Sequence, residues 1–118
     1  MEALIVVAHG SKVESSNNEI KGIVNKIKEN LKDDELKVFY AFLELAEPSI
    51  FVSINKAITQ ECKVIKIFPY FLAAGKHVKE DIPAEIKRFK KRYPEIEFKL
   101  LPHIGECKGI ENLILDNI

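Results

Sequence analysis

This sequence carries no excess charge of either sign: 18 Lys and Arg face 18 Asp and Glu across 118 residues. Bulk attraction to nucleic acid or to an anionic membrane is therefore not its organising principle. No apolar run approaches the roughly 20 residues needed to span a bilayer. The acidic start Met1-Glu2-Ala3-Leu4 runs straight into an apolar stretch, unlike a secretory signal. A cytoplasmic protein is the expectation. Cysteine is sparse, with Cys62 and Cys107 lying 45 positions apart and no Cys-x-x-Cys spacing. That argues against a disulfide scaffold and leaves two unpaired thiols with no assigned function. Linkers and low-complexity segments are missing as well, and nothing resembles the Gly-x-Ser-x-Gly elbow of a serine hydrolase.

What is present is ordinary for a folded soluble chain: 47% hydrophobic and 31% charged residues, enough for one domain over residues 1–118 with a single core. The pattern alternates strand and helix four times. Residues 3–8 form a continuous apolar run, typical of a strand covered on both faces. Ser15-Ser16-Asn17-Asn18 offers N-cap side chains, with an earlier helix start left open; Ile20, Ile23, Ile27 and Leu31 repeat at helical spacing, and Asp33-Asp34 breaks the repeat. A second strand is expected over 37–43. A second helix follows, with Pro48 at its first position and Ile50, Ile54, Ala57 and Ile58 as its stripe. A third strand over 63–68 precedes a helix marked by Ile82, Ile86, Phe89 and Tyr93, with Glu80 and Asp81 in its first turn. A fourth strand over 96–101 and a short helix around Ile110, Leu113 and Ile114 complete the chain. Such alternation implies a doubly wound, flavodoxin-like α/β domain. Its expected core is a four-stranded parallel sheet of order 2-1-3-4 flanked by helices.

That order puts strand 1 beside strand 3 and creates a switch point between them, where open α/β sheets bind ligands. His9, in His9-Gly10-Ser11, follows the first strand, and His77 closes the run Pro69 to His77 after the third. Two imidazoles delivered to one sheet edge suggest a transition-metal or proton-transfer site. Glu44 and Glu47 follow the second strand and His103 the fourth, so all the candidate chemistry lies on that edge. Each signal also has a plainer explanation. Glu47 suits a helix start by its charge, Lys12 and Lys76 are ordinary solvated lysines taken singly, and His103 is expected at the surface. A nucleophilic phosphatase histidine would follow an Arg, whereas here Ala8 occupies that place.

Taken together, His9-Gly10-Ser11, Phe42-Leu43-Glu44 with Glu47-Pro48-Ser49, and Pro69-x-Phe71-Leu72-x-x-Gly75-x-His77-Val78 resemble the class II tetrapyrrole chelatases, in particular the small single-domain sirohydrochlorin cobaltochelatases of archaea. Asp81-Ile82-Pro83 continues the third motif, and the likeness runs on to the Pro102-x-x-Gly105 turn. The resemblance implies insertion of Co²⁺ or Ni²⁺ into sirohydrochlorin without a nucleotide or a prosthetic group. It implies a homodimer in which each chain matches one lobe of the two-lobed enzymes. By position, His9 matches a metal ligand and proton acceptor, His77 the second metal ligand, and Glu44 a recurrent carboxylate. Glu47 and the run Leu72, Ala73, Ala74, Gly75, Lys76 and His77 match substrate contacts. Ala8 stands where Gly is usual, Lys12 where Arg is usual and Tyr70 where an aliphatic residue is common.

On this view Phe71, Leu72 and Ala73 would meet the flat centre of the tetrapyrrole. Lys12 and Lys76 would meet its carboxylate rim, and Ser11 would cap a helix or hold an anion of the substrate. Either Glu44 or Glu47 would orient an imidazole or relay protons. The pathway served would be cobalamin synthesis or that of a nickel tetrapyrrole such as coenzyme F430. The rival expectation is a non-catalytic carrier of metal or tetrapyrrole, against which stands the lack of further Cys or His to close a coordination sphere.

Overall fold

A computed structural model describes residues 1–32 and 34–118; Asp33, half of the expected helix breaker, lies outside the described residues. Strands β1 (Glu2–Ala8), β2 (Leu36–Phe42), β3 (Val64–Pro69) and β4 (Glu97–Leu100) form one sheet in the order β2-β1-β3-β4. Every pairing is parallel. Helices α1 (Glu14–Asn30), α2 (Ile50–Thr59), α3 (Ile82–Arg92) and α4 (Ile110–Leu115) supply the crossovers and the C-terminal turn. Expected and observed strand limits agree to within a residue at each end. No helix among the described residues is long and apolar enough to cross a membrane.

Period-two alternation along the strands explains the two cores. Ala3, Ile5 and Val7 of β1, with Ile65, Ile67 and Phe98, face α2 and α3 and pack on Ile54, Ala57, Ile82, Ile86 and Phe89. The other face sends Val6 and Val38 against Val24 of α1, with Leu4, Ile27 and Leu31 partly buried around them. Strand β1, hydrogen-bonded on both sides and covered on both faces, is the centre of the molecule. Helix α4 is the exception: Leu113, Ile114 and Leu115 are all exposed.

Four local expectations are corrected. Helix α1 takes the earlier start, at Glu14 behind Val13, and no side chain of the Ser15–Asn18 cluster caps it. Asn17 instead turns inward, where its Oδ1 accepts from the Ser11 N–H (3.0 Å) and its Nδ2 donates to the Ser11 carbonyl (2.8 Å). Helix α2 starts at Ile50, not Pro48, because the Ser49 hydroxyl accepts from the Val52 N–H at 3.2 Å and takes the cap that Glu47 was expected to hold. Pro48 lies outside the helix, its carbonyl accepting from the Phe42 N–H at 2.8 Å. A π-helical turn, His77–Asp81, precedes α3, so His77 sits on a helix rather than at the end of a loop.

His103, expected at the surface, is buried at 8% exposure. The turn that follows it is pressed against the loop after β3. The Gly105 N–H donates to the Phe71 carbonyl at 3.0 Å, and a Cβ on Gly105 would fall 1.6 Å from the Leu72 oxygen. The His103 Nδ1 lies 3.2 Å from a Glu106 carboxylate oxygen, at ion-pair distance but without the alignment of a hydrogen bond.

The loops after β1 and β2 are tied by backbone. The Leu43 N–H donates to the Ala8 carbonyl and the Glu44 N–H to the His9 carbonyl, both at 3.0 Å. Gly10, at φ +96°, fits beneath them, and a Cβ there would lie 1.9 Å from the Glu44 carbonyl oxygen. Strain and overlap act together at this position. Gly10→Ala should destabilise the protein by about 2–4 kcal/mol, measured as a lower midpoint of denaturant unfolding at unchanged slope.

Candidate metal centre at the carboxyl edge of the sheet

Parallel register brings the ends of β1 and β3 side by side, with Val7 opposite Pro69. His9 leaves the sheet one residue after β1, the first position at which the chain escapes the two-sided burial of that strand. His77 returns to the same edge on the π-helical turn. The two imidazole rings are 4.9 Å apart, centroid to centroid, at an interplanar angle of 55°. Glu44, two residues past β2, places a carboxylate oxygen 2.7 Å from His9 Nε2. One ligand atom from each of His9, Glu44 and His77 fits within a mutual 4.8 Å. Their side chains are 41%, 57% and 36% exposed, so the cluster is open to a large ligand.

The hydrogen-bond partners assign the ring nitrogens. His9 Nδ1 lies 2.9 Å from the Gly10 carbonyl, which only accepts, so that nitrogen carries the proton of a neutral ring. His9 Nε2 then points a lone pair at an acceptor-only carboxylate, a contact that a proton or a cation must bridge. His77 Nδ1 donates to Asp81 Oδ2 at 2.8 Å, leaving Nε2 as its ligand atom. A carboxylate behind a ligating imidazole fixes the tautomer and raises its basicity. Asp81 was legible as a dipole-favoured acid and as part of the continued third motif but not as the partner of His77, because the His-x-x-x-Asp spacing aligns the two side chains only if the helix begins at His77. Three ligand groups with open positions suit a labile borderline metal ion better than a closed structural site.

The other candidates lie around this centre. Glu47 is not with the histidines: it lines a separate cavity of about 300 Å³ together with Ser11, Lys12, Lys21 and Leu45. Its distance from the pair follows from the tight turn of residues 43–48, which sends the two acids to different sides. The Ser11 hydroxyl accepts from the Val13 N–H at 3.0 Å. Leu72, Ala73, Gly75 and Lys76 are exposed and Ala74 half-buried, in the loop that also carries Phe71, whose ring is 6.0 Å from that of His77. A further cavity of about 430 Å³ runs from Glu44 and His77 past Asp81 and Glu85 to Arg88. Both cysteines are free and outside the cluster. Burial pushes the Cys62 thiol up, against the pull of Lys37 and the N-terminal amine, which keeps it protonated.

The sequence has relatives named as sirohydrochlorin chelatases. A sirohydrochlorin ferrochelatase from Priestia megaterium is 34% identical over 116 residues, 98% of this chain but 41% of that protein. A sirohydrochlorin cobaltochelatase from Methanococcus aeolicus is 42% identical over 85 residues, 70% of this chain and 57% of the relative. The chain thus spans about half the length of these curated relatives. It spans 85% of a Sulfolobus acidocaldarius sirohydrochlorin cobaltochelatase, to which it is 37% identical over 116 residues. Among solved structures, a cobalamin-biosynthesis CbiX protein from Marinobacter aquaeolei VT8 superposes with a TM-score of 0.85 at 28% identity, covering 99% of this chain and 93% of that one. The CbiX family model matches residues 3–118, and the chain belongs to the CbiX family.

Proposed function

We propose that this protein inserts a divalent metal ion into sirohydrochlorin without a nucleotide or a prosthetic group. The observation that carries the reading is the open His9–Glu44–His77 cluster, with its ligand atoms within 4.8 Å at the carboxyl edge of the sheet. The names of the relatives, which specify sirohydrochlorin with cobalt or iron, support the substrate class. Co²⁺ or Ni²⁺ is the proposed metal, since neutral imidazoles suit both ions. A cobalamin or nickel-tetrapyrrole pathway would use the product.

Insertion exchanges one M²⁺ for two pyrrole protons. His9 Nε2, His77 Nε2 and a Glu44 oxygen hold the ion and leave positions for the incoming pyrrole nitrogens. As the ion departs, the His9 Nε2–Glu44 contact receives one proton, which binds there because it bridges two facing lone pairs. His77 Nε2 is the second basic atom vacated and takes the other. The half-exposed Glu44 passes protons on to water. Lys12 and Lys76 meet the acidic rim of the substrate. The site lies on an open edge, and a second copy arranged about a twofold axis would roof it, giving a homodimer.

An anaerobic absorbance assay of sirohydrochlorin with Co²⁺ or Ni²⁺ tests the reading against the spontaneous rate. The protein should accelerate insertion, and His9→Ala or His77→Ala should each lower the rate by about 10²-fold or more while leaving the fold intact. Bound Co²⁺ that stays on the protein when sirohydrochlorin is added would establish a carrier instead. Asp81→Asn keeps the shape but not the charge behind His77. It should weaken Co²⁺ binding roughly 10–100-fold in a visible-absorption titration.

A further inference from the structure

The loop joining β2 to α2 carries a leucine where its backbone favours glycine. Leu45 has φ +66°, and the one other non-glycine residue with positive φ among the described residues is Glu61, at +64°. Glu61 is explained locally. It ends α2, with its N–H donating to the Ile58 carbonyl (2.9 Å) and the Cys62 N–H donating to the Ala57 carbonyl (3.1 Å). Those paired bonds close a helix through a left-handed residue. Leu45 closes no helix. It lies within the 43–48 excursion, whose ends are tied by the Phe42–Pro48 backbone bond, and it is 52% exposed. Neither the turn nor the core requires a branched apolar side chain there.

Register shows what the leucine flanks. Ala8 stands opposite Phe42 and Val7 opposite Pro69. Leu45 is thus three residues beyond the end of β2, Leu72 three residues beyond the end of β3, and His9 emerges from β1 between them. Neighbouring strands lie about 4.8 Å apart, so the two loops leave the sheet roughly 10 Å apart, one on each side of the metal centre. Leu72 is 77% exposed. Leu45 lines a cavity that holds two cations, Lys12 and Lys21, and two acids, Glu14 and Glu47. Outward-facing leucines in the loops on both sides of the open centre match the flat apolar face of a large ring.

We infer that Leu45 is a substrate-contact residue: opposite Leu72 across the His9–His77 centre, it supports the apolar face of the tetrapyrrole on the β2 side. The inference rests on the chelatase reading above and adds a residue to it. Strain retained at a solvent-facing position is consistent with a side chain kept for an external partner.

Leu45→Gly and Leu45→Asn, both at ease at positive φ, separate this role from a structural one, with Leu45→Met as the conservative control. Thermal midpoint, Co²⁺ affinity, solution mass by sedimentation, sirohydrochlorin binding by absorbance titration, and steady-state insertion are measured on each. In the Gly and Asn variants the midpoint should equal or exceed that of the parent, with kcat and Co²⁺ affinity within about twofold. Their KM and Kd for sirohydrochlorin should rise about tenfold, or 1.4 kcal/mol, and Leu45→Met should restore most of the loss. Unchanged KM and Kd in both would overturn the inference while the chelatase reading stands. So would a lowered midpoint with matching loss of Co²⁺ affinity, which would make the leucine structural. A KM increase accompanied by a drop from dimer to monomer would assign Leu45 to a second copy instead. A parent that neither binds nor metallates sirohydrochlorin would remove both the functional reading and this inference.

Discussion

Everything at the functional edge depends on the burial of β1. It is hydrogen-bonded to β2 on one side and β3 on the other and covered above and below. Ala3, Ile5 and Val7 are fully buried, and Val6 and Ala8 nearly so. A polar side chain within that run would lose its hydration with nothing to replace it. The strand can therefore offer chemistry only where it ends, and His9 is the first residue to do so. Because β2 and β3 run parallel to it in near-matching register, their loops emerge at the same edge. The carboxylate of Glu44 and the imidazole of His77 thus arrive from either side of one central strand.

The two histidines are held differently, and the difference has chemical content. His77 has a carboxylate behind it, on the Nδ1 side, so its free nitrogen is the one that faces the cluster. His9 has a backbone carbonyl on Nδ1 and a carboxylate in front, on Nε2. One imidazole is held in a fixed tautomer. The other shares its open side with an acid that binds a cation or a proton in the same place. The proposed insertion reaction would need that exchange. The partial exposure of all three side chains keeps the interactions weak enough to reverse, since water screens them.

Close backbone approach is the second means of construction. Gly10 lies against the Glu44 carbonyl and Gly105 against the Leu72 carbonyl, so each loop bearing a candidate site residue is braced by a loop from a neighbouring strand. These contacts replace side-chain packing where the edge must stay open. They also explain why His103 is interior: the turn that begins after it is pulled onto the loop after β3 by the Gly105–Phe71 bond. Leucines at 45 and 72 are left facing outward on this braced framework.

Strand and helix types, their order, the strand limits and the two-sided burial of β1 follow from the sequence alone, because hydrophobic period and run length are local properties that survive into the fold. The sheet order, given alternating elements, narrows to a few parallel arrangements, and the one expected is the one formed. His9 and His77 were legible as ionisable residues ending apolar runs. The tertiary structure decided what depends on contacts between distant residues or on where a helix turn begins. It placed Glu44 rather than Glu47 at His9, because the 43–48 turn divides two acids only three residues apart. It gave the α2 cap to Ser49, whose hydroxyl reaches an amide that Glu47 does not. It set His77 at the start of a helical turn and so aligned Asp81 behind it. Side-chain periodicity is written in the chain, whereas the meeting of loops that follow β1, β2 and β3 is set by strand register and backbone closure, which no single segment encodes.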